Sequence, residues 1–486
     1  MSSGVVQEKV ASALLGALNE AKKKGQLKTE SWPQLSLDPP KRPEWGDLAS
    51  TVAMSLAASE QQAPHDIAQI IVDNLAQQEQ LFDRVEIVRP GFLNLTVKPI
   101  VWHAVLREIE TQGSAYGRAE IGQQRRVLVE YVSANPTGPL HVGHGRGAAV
   151  GQAVANLLKA IGYDVVSEYY INDAGRQMKL LGASVYARYE ELSNRPGEFP
   201  SEGYRGAYIT AVAERVKQQL GAELAGRAAP EVEERCRAFA YQELLDLIRR
   251  DLKSFGIEFT SWFSEASLVN SGAVQRVLDE LKSKGFLLEQ EGAWWFRSSA
   301  FADEKDRVVQ KQDGEYTYLA SDIAYHQDKL RRAYDLLIDV WGADHHGYIP
   351  RMQAVVQAYG YSKDRLQVVL VQMVNLLRGG KKVEMSKRAG EFITMREVID
   401  EVGADAAKFF FLMRDSDSHL DFDLDLPKQR SSDNPVYYVQ YAHARIASLW
   451  RVAAARGIAC PPSSGTDLTL LTDPDELGLI RKLSAY

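Results

Sequence analysis

The stretch SANPTGPLHVGHGRGAAVG (133–151) places two histidines, His141 and His144, among glycines and prolines. It directly follows the apolar run VLVEYV (127–132) and leads into a small-residue segment of helical character. This order predicts a strand, a breaker-rich loop and a helix. The next apolar run, VVSEYYI (165–171), completes a strand–helix–strand unit, which predicts a parallel sheet with a right-handed crossover.

The loop before the predicted helix has the chemistry of a phosphate-binding site. A turn that opens a helix brings free backbone N–H groups to one point, and the positive end of the helix dipole favours an anion there. Gly143 would let a nucleotide lie close to the backbone. His141 and His144, one helical turn apart, could donate hydrogen bonds to phosphate oxygens. The alternative is a helix cap with packed histidines, and the short motif alone leaves both interpretations open.

Composition indicates a soluble globular chain of several domains. Its 486 residues exceed one ordinary core, so two to four domains are expected. No segment has the length of a membrane span, and the N-terminus predicts an amphipathic helix rather than a signal peptide. The two cysteines, Cys236 and Cys460, exclude a cysteine-built zinc site and predict a cytoplasmic protein. The net charge of −7 argues against a uniformly basic surface but not against a local basic groove.

Breakers and periodicity divide the chain into regions. Residues 1 to about 110 predict a small α/β unit, with an apolar helix face at Val6, Val10, Leu14 and Leu18 and two strands around Pro90 and Gly91. The later elements are, in chain order, a mostly helical region at 182–290, strands at 336–342 and 366–374, a glycine- and lysine-rich loop at 378–390, and a helix from Asn434 onward.

Two of these segments resemble the paired ATP-binding elements of class I aminoacyl-tRNA synthetases. ANPTGPLHVGH resembles the HIGH element, with Val142 in place of isoleucine, and EMSKRAG resembles the KMSKS loop, with Glu384 and Lys387 at the two lysine positions. A mobile lysine loop can close over a triphosphate and neutralise the leaving pyrophosphate. The resemblance implies ATP binding by His141, Gly143, His144, Met385, Ser386 and Lys387. It also implies catalytic roles for His141, His144 and Lys387.

Longer stretches are similar to the arginyl-tRNA synthetase family in particular. They include EWGDLASTVAMSLA and PGFLNL near the N-terminus, the runs at 306–330 and 339–352, and NPVYYVQYAHARIASL (434–449). The resemblance implies an α/β fold with a Rossmann-type parallel-sheet catalytic domain at 113–425, interrupted by the helical insertion. It also implies an N-terminal tRNA-binding domain at 1–112 and an incomplete start of a helical anticodon-binding domain at 426–486.

An arginine pocket must hold a planar cation, which carboxylates bind best in bidentate geometry. The positions that match the family's arginine contacts are Glu130, Asn135, His141, Tyr318, Asp322, and either Asp344 or His345. Glu130 lies in an apolar strand and needs a partner if it is buried, which favours a functional role. Tyr318 could equally be a core residue, and Asp322 could simply cap the helix that follows it.

The resemblance further implies the reaction and its partners. Arginine would be activated by ATP, with Mg²⁺ entering on the nucleotide, and then transferred to the terminal ribose of tRNA(Arg). Asn94 matches a residue that reads a tRNA base; its alternative is a turn residue after Gly91. We expect a monomer without protein-bound zinc or membrane contact. The resemblance also implies an incomplete C-terminal domain, from which we expect weak pairing with tRNA.

The sequence departs from the family pattern at Thr137, and two rival functions stay open. Thr137 stands where family members that lack the second KMSKS lysine carry a substitute lysine, so this chain is expected to rely on Lys387. One rival is another HIGH-superfamily enzyme, although the zinc thiolates of the cysteinyl enzyme are missing. The other is a non-catalytic tRNA-binding relative, against which the presence of His141, His144 and Lys387 argues.

Overall fold

The computed structural model describes residues 4–75, 80–195, 197–383, 393–459 and 461–486. These residues form two compact units. One unit contains the chain up to Ile121 together with Trp450–Tyr486, and the other contains Gly122–Leu449. The predicted domain boundaries at 112 and 425 stay predictions.

The first unit is a small α/β structure. Its helices and strands are α1 (Val5–Lys23), β1 (Leu48–Ser50), α2 (Val52–Glu60), α3 (Pro64–Leu75), β2 (Phe82–Val88), β3 (Phe92–Val97) and α4 (Pro99–Gln112). The strands form an antiparallel sheet in the order β1-β3-β2, so the hairpin predicted around Pro90 and Gly91 is confirmed. The predicted apolar face of α1 is also confirmed, because Val6, Val10, Leu14 and Leu18 are buried.

The last helix of the chain belongs to the same unit. This helix, Pro474–Ser484, contributes Leu477 and Ile480 to the apolar core formed by the N-terminal helices and strands. The Tyr116 hydroxyl donates to the carbonyl of Leu483 at 2.8 Å. The chain's final residues therefore complete the core of its first 121 residues.

The second unit is built on a five-stranded sheet whose neighbours are all parallel. The strands are β4 (Arg126–Glu130), β5 (Asp164–Ile171), β6 (Ser261–Ser264), β10 (Leu336–Gly342) and β11 (Leu366–Val371), in the order β11-β10-β4-β5-β6. The predicted strand–helix–strand unit is confirmed, with α5 (Val142–Ala160) connecting β4 and β5. Because strand order reverses beside β4, the carboxyl ends of β4 and β10 border the crevice where such sheets bind ligands.

Alternating side chains of β4 enter two different cores. Val127 and Val129 pack with α5 on one face, and Leu128 packs on the other. Two helices bury apolar residues on that second face: α11 (Tyr318–Arg331) and α12 (Ile349–Ala358). Both faces of the sheet are thus covered, as parallel sheets require.

The predominance of helix predicted at 182–290 is confirmed, whereas the single strand expected at 366–374 needs correction. The region at 182–290 contains the helices α6 (Arg176–Leu192), α7 (Ala207–Leu224), α8 (Ala229–Ser254), α9 (Glu265–Asn270) and α10 (Ala273–Ser283), but it also supplies β6 and β7 (Leu287–Gln290). The strand expected at 366–374 divides at Gln372. Its first part is β11, and its second begins β12 (Val374–Arg378), which belongs to a separate sheet.

Three-stranded sheets account for the remaining strands of the second unit. Antiparallel β7, β8 (Ala293–Phe296) and β9 (Arg307–Gln310) form one, and β13 (Lys381–Lys382), β12 and β14 (Leu420–Asp423) form the other. The helices that follow are α13 (Met395–Val402), α14 (Ala404–Leu412) and α15 (Pro435–Ala455), and we label the C-terminal helix α16. The helix predicted from Asn434 onward is therefore confirmed. Across the described ranges, each helix is too short or too polar to cross a membrane.

Candidate functional site

The histidine turn lies at the entrance of α5. The Nδ1 atom of His141 accepts a hydrogen bond from the Gly143 backbone at 3.1 Å, and the His141 backbone donates to Nδ1 of His144 at 3.2 Å. The two rings stack with centroids 3.7 Å apart. A Cβ at Gly143 would lie 3.0 Å from Cε1 of His141, so a larger residue there would require the ring to shift. The capping role is therefore confirmed, and it holds both imidazoles rigidly at the helix N-terminus.

The chain that follows the lysine element pairs with this turn. The Val142 backbone donates to the carbonyl of Ile393 at 3.3 Å, and the Met395 backbone donates to the carbonyl of Leu140 at 2.7 Å. His141 and Thr394 form an isolated antiparallel bridge. The residues of the lysine element itself, Glu384, Met385, Ser386 and Lys387, lie outside the described residues. The histidine element thus contacts the segment that begins six residues after Lys387.

Asp322 lies in the second turn of α11. The helix begins at Tyr318 with Thr317 at its N-cap, so the capping interpretation of Asp322 is wrong. The Tyr348 hydroxyl donates to Oδ2 of Asp322. Burial raises the pKa of Asp322, and the Tyr348 hydrogen bond and the nearby charge of His326 offset part of that rise.

Glu130 and Asp322 both contribute to the electrostatic environment of Tyr170. Tyr170 of β5 is largely buried, and its pKa is raised by burial and then by the negative charges of Glu265, Asp322 and Glu130. The Tyr170 backbone donates to the Ser133 oxygen, and the Ser133 hydroxyl donates to Glu130. The Tyr170 ring packs on Tyr325 of α11, the helix that carries Asp322, with centroids 4.4 Å apart. The two acids that the family resemblance assigns to arginine binding therefore lie on segments that both contact Tyr170.

A buried lysine is the partner that Glu130 needed. The Lys329 Nζ atom lies 2.5 Å from Oε2 of Glu130 and 2.7 Å from Oδ1 of Asp339. Nε2 of His326 lies 3.0 Å from the other oxygen of Asp339. Burial alone would raise the pKa of Asp339, but the charge of Lys329 and the hydrogen bond from His326 lower it to about 2. Because Lys329 compensates Glu130, the burial of this acid does not by itself demand a ligand.

Asn135 and Tyr318 are the two remaining polar candidates for the arginine pocket. The Asn135 amide donates to Oε1 of Gln177 at 2.6 Å, which fixes its orientation. Tyr318 is 71% exposed, so the interpretation of Tyr318 as a core residue is wrong. It precedes Asp322 by four residues, which places both side chains on one face of α11.

Asp344 and His345 follow the end of β10 in a short 3-10 helix, Ala343–Tyr348. Both side chains are exposed, and Nε2 of His345 lies 3.7 Å from Oδ2 of Asp344. The charge of His345 is among those that oppose the rise in the pKa of Asp322. His345 precedes Tyr348, which contacts Asp322, by three residues, which is one turn of the 3-10 helix.

Asn94 lies in β3, the central strand of the N-terminal sheet. It pairs with Ala49 of β1 and Glu86 of β2, and it is 5% exposed. The interpretation of Asn94 as a turn residue after Gly91 is therefore wrong.

Several polar residues of the site were not found from the sequence. They are Lys329, Asp339, His326, Tyr348, Tyr170 and Gln177. The spacing of Asp322, His326 and Lys329, at i, i+4 and i+7, could have revealed one polar stripe on an otherwise apolar helix. Asp339 lies within the apolar strand LLIDVWG, which is the same signal that singled out Glu130.

The described ranges hold no group of three or more histidine, cysteine or acidic side chains arranged to bind a metal ion. The site is instead an arrangement of carboxyl groups, phenols and imidazoles beside a helix N-terminus. Its acids can bind a cation, and the helix entrance can bind an anion.

Two family models match the chain. The model described as "tRNA synthetases class I (R), catalytic domain" matches residues 106–417. The model described as "Arginyl tRNA synthetase N terminal domain" matches residues 6–97. Together they include the histidine turn, the acidic pocket and Asn94.

Individual proteins agree with these models. Arginine–tRNA ligase from Nitratidesulfovibrio vulgaris is 50% identical over 476 residues, covering 97% of this chain and 86% of the relative. The enzyme of the same name from Syntrophotalea carbinolica is 50% identical over 464 residues, covering 95% and 83%. The structure of Thermus thermophilus arginyl-tRNA synthetase matches with a TM-score of 0.71 over 98% of this chain and 85% of that one, and at 21% identity it shows the shared fold. On these matches, the chain belongs to the class I arginyl-tRNA synthetase family.

Proposed function

We propose that this chain activates arginine with ATP and transfers it to the 3′-terminal ribose of tRNA(Arg). The observation that carries the proposal is that Tyr170 contacts both the strand end that carries Glu130 and the helix that carries Asp322, at the edge of the sheet from which the chain enters α5. The acids provide a site for a guanidinium, and the helix entrance provides one for phosphates. A substrate that carries both charges, such as an amino acid meeting ATP, suits this arrangement.

The guanidinium binds between Asp322 and Glu130 in this proposal. Tyr318 packs or hydrogen-bonds beside it, while Asn135 and His141 hold the backbone end of the amino acid. Of the two open candidates beyond β10, we favour His345, because it lies one turn of the 3-10 helix before Tyr348, which contacts Asp322. Asp344, with a side chain that is 80% exposed, acts through His345 rather than on the substrate.

ATP is bound by His141, Gly143 and His144 at the helix entrance, with Met385, Ser386 and Lys387 from the lysine element. The arginine carboxylate attacks the α-phosphate, which forms arginyl-adenylate and releases pyrophosphate. The 2′-hydroxyl of the terminal ribose then attacks the arginyl carbonyl, and AMP leaves. No side-chain nucleophile is required, because the protein accelerates the reaction by positioning the reactants and stabilising the charge on the phosphates.

Mg²⁺ enters with the nucleotide in this scheme. The described residues offer it no cluster of three acidic or histidine ligands, so the phosphates themselves would be its main ligands.

The N-terminal unit binds tRNA in the proposal, with Asn94 as a base contact. Asn94 is 5% exposed, so a base could contact only a small part of its side chain, at the surface of the sheet. An amide can pair with the edge of an unstacked base. We further propose that the protein acts as a cytoplasmic monomer.

The proposal is tested by charging total tRNA with labelled arginine and, separately, with labelled lysine. Transfer of arginine but not of lysine is expected, because the acidic pair matches a planar cation with five donors better than a compact ammonium. Transfer of lysine, or of neither amino acid, would contradict the proposal.

Lys387→Ala tests the ATP half of the site. We expect adenylate formation to fall by roughly 100-fold or more, since one charge that stabilises the leaving pyrophosphate is lost. Arginine affinity should change little, because the acids of the pocket remain. Pyrophosphate exchange in the presence of tRNA gives the first quantity and calorimetry gives the second. Lys253→Met, at an exposed position of α8, serves as a control for loss of a lysine.

A further inference from the structure

The central strands carry a row of buried acids. The register pairs Asp339 of β10 with Glu130 of β4, and Glu130 with Glu168 of β5. Residues in register on neighbouring strands project to the same face of a sheet. Three carboxyl groups thus lie side by side beneath α11, where unpaired burial would be strongly unfavourable.

Helix α11 supplies the basic groups that face this row. Arg332, the C-cap residue of the helix, binds both oxygens of Glu168. One turn earlier, Lys329 bridges Glu130 and Asp339, and its Nζ atom also lies 4.4 Å from the centroid of the Tyr325 ring. Lys329 is therefore enclosed by two carboxylates and an aromatic face.

The orientation of the Glu130 carboxylate is fixed from both sides. Oε2 faces Lys329, and Oε1 accepts a hydrogen bond of 2.8 Å from the Ser133 hydroxyl. The Ser133 oxygen in turn accepts from the Tyr170 backbone at 3.2 Å. With one donor on each oxygen, the carboxylate plane cannot rotate freely, so its remaining lone pairs keep a constant direction.

Accessibility shows from which side this cluster can be reached. The side chains of Lys329 and Asp339 are completely buried, whereas 10% of the Glu130 side chain is exposed. Of these three described side chains, Glu130 is the one that a ligand can touch. Lys329 cannot contact a bound cation itself, so the contact that it can influence is the one made by Glu130.

We propose that Lys329 is a positioning residue for arginine recognition, which keeps Glu130 ionised and orients its carboxylate toward the guanidinium. This inference rests on the proposed function, because it takes Glu130 as a contact of arginine. Lys329 itself does not touch the substrate. It makes the pocket selective for a charged side chain over a neutral one of the same shape.

The ionisation of Glu130 depends on the groups around it. Those facing it are Lys329 and Tyr325 from α11, Asp339 from β10, and Tyr170 from β5. Burial raises the pKa of Glu130, and the charge of Lys329 offsets part of that rise. Without Lys329, burial and the charge of Asp339 would raise the pKa of Glu130 further. Glu130 would then keep its proton to a higher pH.

The experiment compares Lys329→Met with the unaltered chain by calorimetric titration with L-arginine and with L-citrulline, its uncharged ureido analogue. We expect arginine affinity to fall by roughly tenfold or more at neutral pH, with citrulline affinity nearly unchanged. Arginine binding should then recover as the pH is raised, with its midpoint above that of the unaltered chain. A purely structural role would weaken both ligands equally and would not move the pH midpoint.

A second variant guards against a failure to fold. Lys329→Met/Asp339→Asn removes the buried pair together, so it leaves no unpaired Asp339 charge in the core. We expect this variant also to lose preference for arginine over citrulline. Unchanged preference in both variants would overturn the inference. If the unaltered chain fails to bind arginine, the proposed function fails instead, and Lys253→Met provides the control for the substitution itself.

Discussion

At the scale of single residues, the site is defined by how each acid is compensated. Asp339 has a low pKa because Lys329 and His326 both face it. Asp322 has a raised pKa because burial outweighs the hydrogen bond from Tyr348 and the nearby basic groups. The negative charge of Asp339 is thus stabilised by groups of the protein itself, whereas the negative charge of Asp322 is only partly stabilised. An incompletely balanced acid at a pocket is the one expected to bind a cationic substrate.

The first prediction concerns Asp322. Asp322→Asn keeps the shape of the side chain but removes its charge, so the KM for arginine should rise roughly 30-fold or more, which corresponds to about 2 kcal/mol. Aminoacylation kinetics measure this change. Asp364→Asn is the matched control, because Asp364 is exposed before the start of β11 and should alter KM less than about threefold. Equal effects of the two substitutions would show that Asp322 does not contact arginine.

The second prediction is the pH dependence of the same step. A carboxyl with a raised pKa gains its proton at a higher pH than an exposed one, so arginine binding should weaken as the pH falls toward the pKa of Asp322. Arginine itself keeps its charge over this range. Titration calorimetry across mildly acidic pH should show proton release on binding. Proton uptake would contradict the assignment.

At the scale of elements, α5 is the part that the sequence predicted best. Its strand–loop–helix context follows from a switch in periodicity and a cluster of breakers, both of which are local signals. The division of 366–374 between two sheets and the recruitment of SWFS as an edge strand were not predictable in this way. Both depend on pairing with strands far away in the chain. The salt-bridge partner of Glu130 was missed for the same reason, since it lies 199 residues away.

Helix α5 is also anchored by an unusual buried arginine. Arg146 is fully buried and donates to the carbonyls of Gln372 at 2.9 Å, Ser418 at 2.7 Å and Asp415 at 2.9 Å. Gln372 lies between β11 and β12, and the other two residues precede β14. One side chain therefore joins the histidine helix to the segments that enter two parallel strands, β12 and β14, of a different sheet.

The third prediction follows from this anchor. Arg146→Met leaves these carbonyls without their donor, so the free energy of unfolding should fall by at least about 2 kcal/mol. Chemical denaturation measures the loss. Arg430→Met, at an exposed position, should change the free energy by less than about 0.5 kcal/mol. Equal stability of the two variants would mean that the contacts of Arg146 contribute nothing net.

At the scale of the molecule, the chain folds into two units of which one is discontinuous. Its N-terminal residues and its last helix share a core. The family resemblance correctly predicted the α/β class and the catalytic sheet. The packing of α16 was not predicted, because an amphipathic helix reveals an apolar face but not the surface that it covers.

The fourth prediction uses this shared core. Leu477→Ala removes a buried side chain and should destabilise the first unit by roughly 2 to 5 kcal/mol, while Leu479→Ala, at a position 60% exposed on the same helix, should have little effect. Hydrogen-exchange mass spectrometry should show faster exchange in α1 and α4 but not in β4 and β10. Faster exchange throughout would show that the units unfold together.

The enclosed contact of Lys329 with Asp339 has one more consequence. These two ions lose their water when the chain folds, long before any substrate arrives. An incoming cation therefore meets dipoles that already point in a fixed direction, and little reorganisation energy remains to be supplied at the moment of binding. The same rigidity should prevent this edge of the sheet from adjusting to ligands of a different shape. Selectivity for the ligand would then come from a binding site that is already formed in the folded protein.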